Sequence, residues 1–414
     1  MKPWAWGLFA LALLAVILRS APLFLLTLFL ALIAGAALLW LRVCLLGVSY
    51  RRSFERVRLF HGDEITLDIE IANAKPLPLA WLRAEDELPK ALVIEPARLS
   101  HSHRPGRQRL VNLLSLRWYE RVTRHYRVRA VQRGAWSFGP VRLLSGDMFG
   151  FAVREETGEQ VDTLIVYPRI VPLSALGLPS DRPFGEFRAM RRLAEDPLRL
   201  NGAREYASGD SMRHVHWKAT ARRGSLQTKT FDAAANRPLA LFLNVNTHEH
   251  AWEGYDPDLQ EDAITVTASL AHWAWDQGQA VGLFANTITQ PGAQGVCIRP
   301  AGHRDQVTLI FEALARIVPY GRWPIEETLR SEGLHLPYGT TLVVVTALLT
   351  DALRRTLLFL HDRGFALAVV TLGAASDAPP IPGVPRYRAR GELRGAGAIS
   401  DLLSEGRHAA ADLE

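Results

Sequence analysis

Two cysteines in 414 residues, Cys44 and Cys297, are too few and too far apart to form a disulfide framework. Other expected chemistry is missing as well. The chain has no glycine-rich loop ending in Gly-Lys-Ser/Thr to cradle a phosphate and no Gly-x-Ser-x-Gly nucleophile turn. It also lacks a His-Glu-x-x-His zinc helix and a Cys-x-x-Cys pair. No aromatic RNA-binding signature or helix-turn-helix stands out, so a nucleic-acid partner is not expected. Lysine is scarce too: of 48 Lys and Arg residues only five are Lys. The net charge of +6 suits work near anionic lipid, although an arginine-rich codon usage gives the same balance.

Long apolar runs are present, at one end only. An uncharged stretch runs from Trp4 to Leu18, Arg19-Ser20-Ala21-Pro22 reads as a tight turn, and a second stretch runs from Ala21 to Leu41. The second is about twenty residues, enough at a 1.5 Å rise to cross roughly 30 Å of hydrocarbon. The first, at about fifteen, is marginal for a span, but Trp4 and Trp6 suit an interfacial belt. A secretory signal is the alternative for the first run, but no small-x-small cleavage site follows it. The expectation is a transmembrane hairpin within residues 1–50, with spans near 4–18 and 21–41. Lys2 precedes it, Arg42, Arg51, Arg52, Arg56 and Arg58 follow it, and only Arg19 lies between. The positive-inside rule then places the remaining domains in the cytoplasm.

Three segments follow. Residues 51–168 read as a β-sandwich: Glu64 to Ala72 alternates with period two, and further strands are expected at Leu110–Leu116, Thr123–Val131, Gly139–Leu144 and Thr163–Tyr167. Residues 169–237 form a connector broken by Pro172, Gly177, Pro179, Pro183 and Gly185. From 238 to 414 the period changes. Buried strands at Leu239–Val245, Ala280–Asn286, Thr340–Thr346 and Phe365–Thr371 alternate with helices at Pro257–Asp276, Asp305–Val318 and Asp351–Asp362. That order predicts an α/β three-layer domain with a mostly parallel sheet.

The chemistry concentrates in the connector, from Arg204 to Asp232. Six cations, three carboxylates, two histidines, a Trp and a Tyr share this window, and Lys218 and Lys229 are two of the five lysines. Ser208-Gly209-Asp210 reads as a turn feeding a helix over 211–223, with Asp210 as its cap and Gly224 ending it in the left-handed conformation. On that helix His214 and His216 point about 200° apart and cannot share a metal; on a strand they would share a face. Arg213 and Trp217, His214 and Lys218, and Lys218 and Arg222 are each four apart, giving a cationic face beside a Trp. Arg204 and Asp210 are placed to pair and order the turn. Three roles remain open for the cluster: an internal polar network, a surface for a protein partner, or catalysis, for which no nucleophile–base pair is adjacent.

The spacing Arg204-x-Tyr206-x-x-Gly209-Asp210-x-x-Arg213-x-Val215-His216-Trp217-Lys218-x-Thr220-Ala221-Arg222, followed by Leu226, Lys229 and Phe231, resembles the signature of the DUF58 family of bacterial proteins. The resemblance extends to two N-terminal spans, a late Arg133-Gly134 and Asp147-x-Phe149-Gly150, a Val166-Tyr167-Pro168 strand, and an α/β domain similar to a von Willebrand factor A domain. It implies no cofactor and no catalytic residues. It also implies a membrane-associated adaptor encoded beside MoxR-type AAA+ ATPases and transglutaminase-like membrane proteins. Von Willebrand-type domains often hold Mg²⁺ through Asp-x-Ser-x-Ser; the matching place reads Asn244-Val-Asn246-Thr-His248, and Thr346 stands where an Asp is expected. Without a carboxylate, the resemblance implies a degenerate metal site.

Overall fold

The computed structural model describes residues 3–147, 153–178, 195–207, 210, 212–233, 237–337 and 339–389. The chain divides into two units, Met1–Val166 and Tyr167–Glu414.

The first unit opens with two apolar helices, α1 (Pro3–Ile17) and α2 (Ala21–Val43). Pro22 falls in the first turn of α2, where its missing N–H costs nothing. Among the described residues, α2 is the one helix long and apolar enough to cross a membrane. Helix α1 has 15 residues, about 22 Å, which falls short of roughly 30 Å.

The rest of this unit is strand. In chain order it contains β1 (Val48–Phe54), β2 (Arg58–Leu59), β3 (Glu64–Asn73), β4 (Leu79–Pro89), β5 (Val93–Glu95) and β6 (Leu99–His101), then β7 (Arg107–Leu116), β8 (Arg121–Arg129), β9 (Gly134–Phe138), β10 (Val141–Gly146), β11 (Val153–Thr157) and β12 (Asp162–Val166). They pair as β1-β3-β8-β5, β11-β10-β4-β7-β6 and β2-β12-β9. Ile65, Leu67, Ile69 and Ile71 alternate inward from β3 and meet Leu82, Ala84 and Leu88 of β4 and Val128 of β8 in one core. Strand β4 has no apolar alternation over Glu85-Asp86-Glu87, yet all three carboxylates are buried. Arg52 pairs with Asp86 at 2.8 Å, and Arg109 reaches both Glu85 at 3.3 Å and Glu87 at 3.0 Å. Buried charge survives there because each carboxylate has a guanidinium partner.

In the second unit, β13 (Glu195–Glu205) precedes α3 (Trp217–Arg223) and pairs antiparallel with β14 (Gln227–Ala233). An alternating series follows: β15 (Leu239–Leu243), α4 (Pro257–Asp276), β16 (Val281–Thr289), β17 (Gln294–Ala301), α5 (Gln306–Arg316), α6 (Ile325–Gly333), β18 (Thr341–Thr346), α7 (Asp351–Asp362), β19 (Ala366–Thr371) and β20 (Arg386–Arg388). The sheet order is β17-β16-β15-β18-β19-β20, parallel throughout except at the β17 edge. Ala240 and Phe242 point to one face, where they join Ile325 and Leu329 of α6 and Leu353, Leu357 and Leu360 of α7. Leu239, Leu241 and Leu243 are buried as well, and α4 packs on β15, β16 and β18. A strand buried on both faces reads as an unbroken apolar run, as this one does. Asp256 caps α4 by accepting from the N–H groups of Asp258 and Leu259, and Thr350 caps α7 through Leu353.

Candidate functional site

The helix expected over 211–223 is shorter than its sequence signals suggest. Met212–His214 forms a single tight turn, Val215 bridges to Thr228 on β14, and α3 begins only at Trp217. Its cap is His216, whose Nδ1 accepts from the N–H of Ala219 at 3.2 Å. Val215 explains the break: its side chain is 2% exposed, and filling that apolar slot holds the backbone extended where a helix would turn it outward. The His216 N–H donates to the carbonyl of Gln227 at 2.7 Å, fixing the same geometry. Gly224 ends α3 with φ 70°, as expected of a left-handed C-terminal cap.

Asp210 therefore caps no helix. Its carboxylate accepts from Arg204 Nη2 at 2.7 Å, from the N–H of Ala207 at 3.0 Å and from the hydroxyl of Thr228 at 3.2 Å. The Arg204 bond and then the Ala207 N–H favour the ionised form and draw its pKa down to about 2. Gly209, between Tyr206 and Asp210 in the motif, lies outside the described residues. Tyr206 is half-buried and its N–H donates to the carbonyl of Leu226 at 2.9 Å. Lys229 is half-buried on β14, paired in register with Ala203.

Two residues inside the 204–232 window but outside the expected set of site residues complete the frame. Gln227 is fully buried; its N–H donates to Thr220 Oγ1 at 3.0 Å and its amide to Ser225 Oγ at 3.1 Å. Thr228, 4% exposed, carries the Asp210 bond. The alternation from Ser225 to Phe231 marks a strand but does not reveal that polar side chains point inward from it.

The cluster separates into two kinds of residue. Asp210, His216, Thr220, Gln227 and Thr228 bond to one another or to backbone. Arg213, Trp217, Lys218 and Arg222 face solvent, as do Met212 and Arg223, and Trp217 is 66% exposed. Because Arg213 precedes α3, the expected single face from 213 to 222 is not helical. Lys218 and Arg222 retain their four-residue spacing on α3. His214 is exposed in the turn and His216 is engaged as the cap. Among the described residues no group of three or more His, Cys, Asp or Glu is placed to hold a metal ion.

The second candidate place is the carboxyl edge of the parallel strands, where such sheets bind ligands. A cavity of about 570 Å³ opens there, lined in part by Asn244, Asn246, His248, Arg322 and Glu326. The polar residues at its floor are tied together. Asn244 donates to Thr346 Oγ1 at 3.0 Å and accepts from Asn286 Nδ2 at 3.0 Å and from the N–H of Asn246 at 3.2 Å. Asn246 Oδ1 accepts from the N–H of Gly321 at 3.0 Å, and Asn286 Oδ1 from that of Val245 at 2.9 Å. His248 lies on the exposed loop that follows. Asn286 is fully buried and central to this network, yet inside an apolar run it gives no sign of its role.

The uncharacterized protein YeaD of Bacillus subtilis (strain 168) is 26% identical over 245 residues, which cover 56% of this chain and 54% of that protein. The chain thus spans about half the length of this curated relative. Among solved structures, AvmM, described as catalysing macrocyclization in alchivemycin A biosynthesis, covers 29% of this chain and 88% of its own at 12% identity and a TM-score of 0.22. A cohesin module from a Clostridium perfringens ATCC13124 family 33 glycoside hydrolase covers 29% of this chain and 97% of its own at 8% identity and the same TM-score, 0.22. Likenesses of that size carry no argument about fold or function. Residues 202–384, which include the exposed face of α3 and the strand-end network, match the family described as "Protein of unknown function DUF58", the family whose signature the 204–231 motif resembles.

Proposed function

We propose that this chain is a non-enzymatic, membrane-anchored adaptor whose exposed α3 face docks a cytoplasmic protein partner. The observation that carries the reading is the division of labour within the cluster. Groups with catalytic potential, Asp210 and His216, are committed to holding the β13–β14 hairpin and α3. Trp217, Arg213, Lys218 and Arg222 face solvent. A large exposed Trp close in sequence to exposed cations has the composition of an interface hot spot facing an acidic surface. Helix α2 supplies the anchor, α1 completes a hairpin with it, and the arginines after α2 favour a cytoplasmic placement.

We read the six-stranded domain as von Willebrand factor A-like, with its metal position converted to an amide network around Asn244. On the strength of the family resemblance, the partner is a MoxR-type AAA+ ATPase, and a transglutaminase-like membrane protein is a further member of the same assembly. The test is a pull-down from native membranes with wild type and with Arg213→Glu/Lys218→Glu, with and without ATP. The reading expects an ATPase captured by wild type and lost from a folded double variant. Equal capture by both would remove α3 from the interface.

A metal-dependent binder or enzyme is the competing reading. It would need Asp210, His214 and His216 to converge on one ligand, and the commitment of Asp210 and His216 to separate partners disfavours it.

A further inference from the structure

The exposed aromatic pair Trp118–Tyr119 takes no part in either site. It forms the tip of the β7–β8 turn, with Trp118 65% and Tyr119 68% exposed. Tyr119 is held at φ 54°, a conformation that an L side chain seldom adopts without surrounding support. That support comes from the end of β3. Asn73, 1% exposed, donates through Nδ2 to the carbonyls of Arg117 at 2.8 Å and Leu77 at 2.9 Å, and its N–H donates to Glu120 at 2.9 Å. The Tyr119 N–H donates to the carbonyl of Lys75 at 3.3 Å.

Lys75 connects this turn to α2. Its ammonium donates to the carbonyl of Cys44, immediately after the helix, and to that of Leu46 at 2.8 Å. Arg154 donates to the carbonyls of Leu41 at 3.4 Å and Arg42 at 2.7 Å, and Trp40 Nε1 donates to Gly146 at 3.2 Å. Cations from the β-strand region thus satisfy carbonyls that the end of a helix leaves unpaired, where the helix dipole also favours positive charge. The aromatic tip lies one lysine side chain from the point where α2 ends.

We propose that Trp118 and Tyr119 enter the interfacial layer of the same bilayer that α2 crosses, with Arg117 and Arg121 facing anionic headgroups. Trp and Tyr favour that layer because each offers an apolar ring and a polar edge, and cations beside it gain from anionic lipid. Arg117 is exposed, and the Arg121 side chain is 67% exposed with a 3.4 Å contact to a half-buried Glu70. The strand region would then rest on the membrane through two contacts, the helix end and this turn. The inference rests on the reading of α2 as a membrane span.

The test uses full-length protein in nanodiscs of phosphatidylcholine and phosphatidylglycerol, with spin labels on single cysteines in a Cys297→Ser background; Cys44 is fully buried. Arg117→Cys reports on the turn and leaves both aromatics in place. Arg104→Cys sits beyond the other end of the ten-residue strand β7, about 30 Å away. Leu32→Cys reports on α2. Expected are collisions with oxygen strongly favoured over a water-soluble nickel complex at 32, clearly favoured at 117 and disfavoured at 104. Adding Trp118→Ser with Tyr119→Asn, which tolerates the same backbone, should return 117 to the behaviour of 104. A lipid-buried 32 with a fully aqueous 117, or a signal at 117 unmoved by losing the aromatics, overturns this inference alone and leaves the pair as a protein-facing surface. An aqueous label at 32 overturns the membrane reading beneath it.

Discussion

Asn244→Asp changes an NH₂ to an oxygen, and the structure gives that change a cost. Asn244 is 4% exposed and its partners Asn286 and Thr346 are fully buried. Its Oδ1 already accepts two bonds, from Asn286 Nδ2 and the N–H of Asn246, so the other position must donate, as Nδ2 does to Thr346 Oγ1 at 3.0 Å. That hydroxyl also donates to the carbonyl of Leu348 and accepts its N–H. An Asp there either faces a lone pair or pulls the Thr346 proton away from Leu348, leaving one buried polar group unpaired at about 1–3 kcal/mol. Once ionised, the uncompensated buried charge raises the loss to about 3–5 kcal/mol. Burial lifts the folded-state pKa of the new carboxyl above its unfolded value. The ionic part of the penalty is therefore absent below the unfolded pKa, near 4, grows as pH rises, and is complete above the folded pKa. Urea unfolding of the variant from pH 3.5 to 8, with and without Mg²⁺, measures this. Stability equal to wild type at pH 8 would refute the donor argument. Recovery on adding Mg²⁺ would show that this edge retains the geometry of an ion site.

Three further outcomes follow from the same physics. Gly224→Ala meets no atom within 4 Å, so its cost is that of left-handed backbone alone, about 1–2 kcal/mol, read as faster hydrogen exchange across α3. Asp210 has a pKa drawn down to about 2, so its contribution to the hairpin is intact above the ordinary carboxylate range and is lost as pH falls toward 2. An NMR titration of the Ala207 amide should track that low midpoint, and a midpoint near 4 would contradict the Arg204–Asp210 pairing. Arg52→Met strands the buried Asp86, whose carboxyl pKa is already raised by burial, and should cost about 3–5 kcal/mol in chemical unfolding. Arg52→Met/Asp86→Leu should cost much less, and equal losses would show that packing, not charge, dominates there.

Legibility in the sequence followed periodicity. The spans Pro257–Asp276 and Asp351–Asp362 are helices over those residues because caps at Asp256 and Thr350 and a change of period mark both ends. Leu239–Leu243 was legible because burial on both faces demands an unbroken apolar run. Strand β4 and the edge strand β17 were not foreseen. The first carries three acids whose burial depends on arginines distant in sequence, and the second follows a hairpin within what was read as a connection between strand and helix. In the cluster, the Arg204–Asp210 pair and the Gly224 stop were readable from residue type and spacing. The late start of α3 was not, because it depends on Val215 bridging to Thr228, a contact made only when β14 is in place. The inward-facing Gln227 and Asn286 were hidden for the same reason: a polar residue in a strand shows its role only through its partners.

The most direct test of the docking reading is a binding titration between the full-length protein in nanodiscs and a purified MoxR-type AAA+ ATPase, the partner proposed above, at two salt concentrations. Trp217→Ala should weaken binding by about 30-fold or more, the scale of a hot-spot loss of about 2 kcal/mol. At 66% exposure the same change should shift stability by no more than about 0.5 kcal/mol. Lys218→Glu should weaken binding further at low salt than at high salt. Wild-type affinity in both folded variants would contradict the claim that α3 is the docking surface.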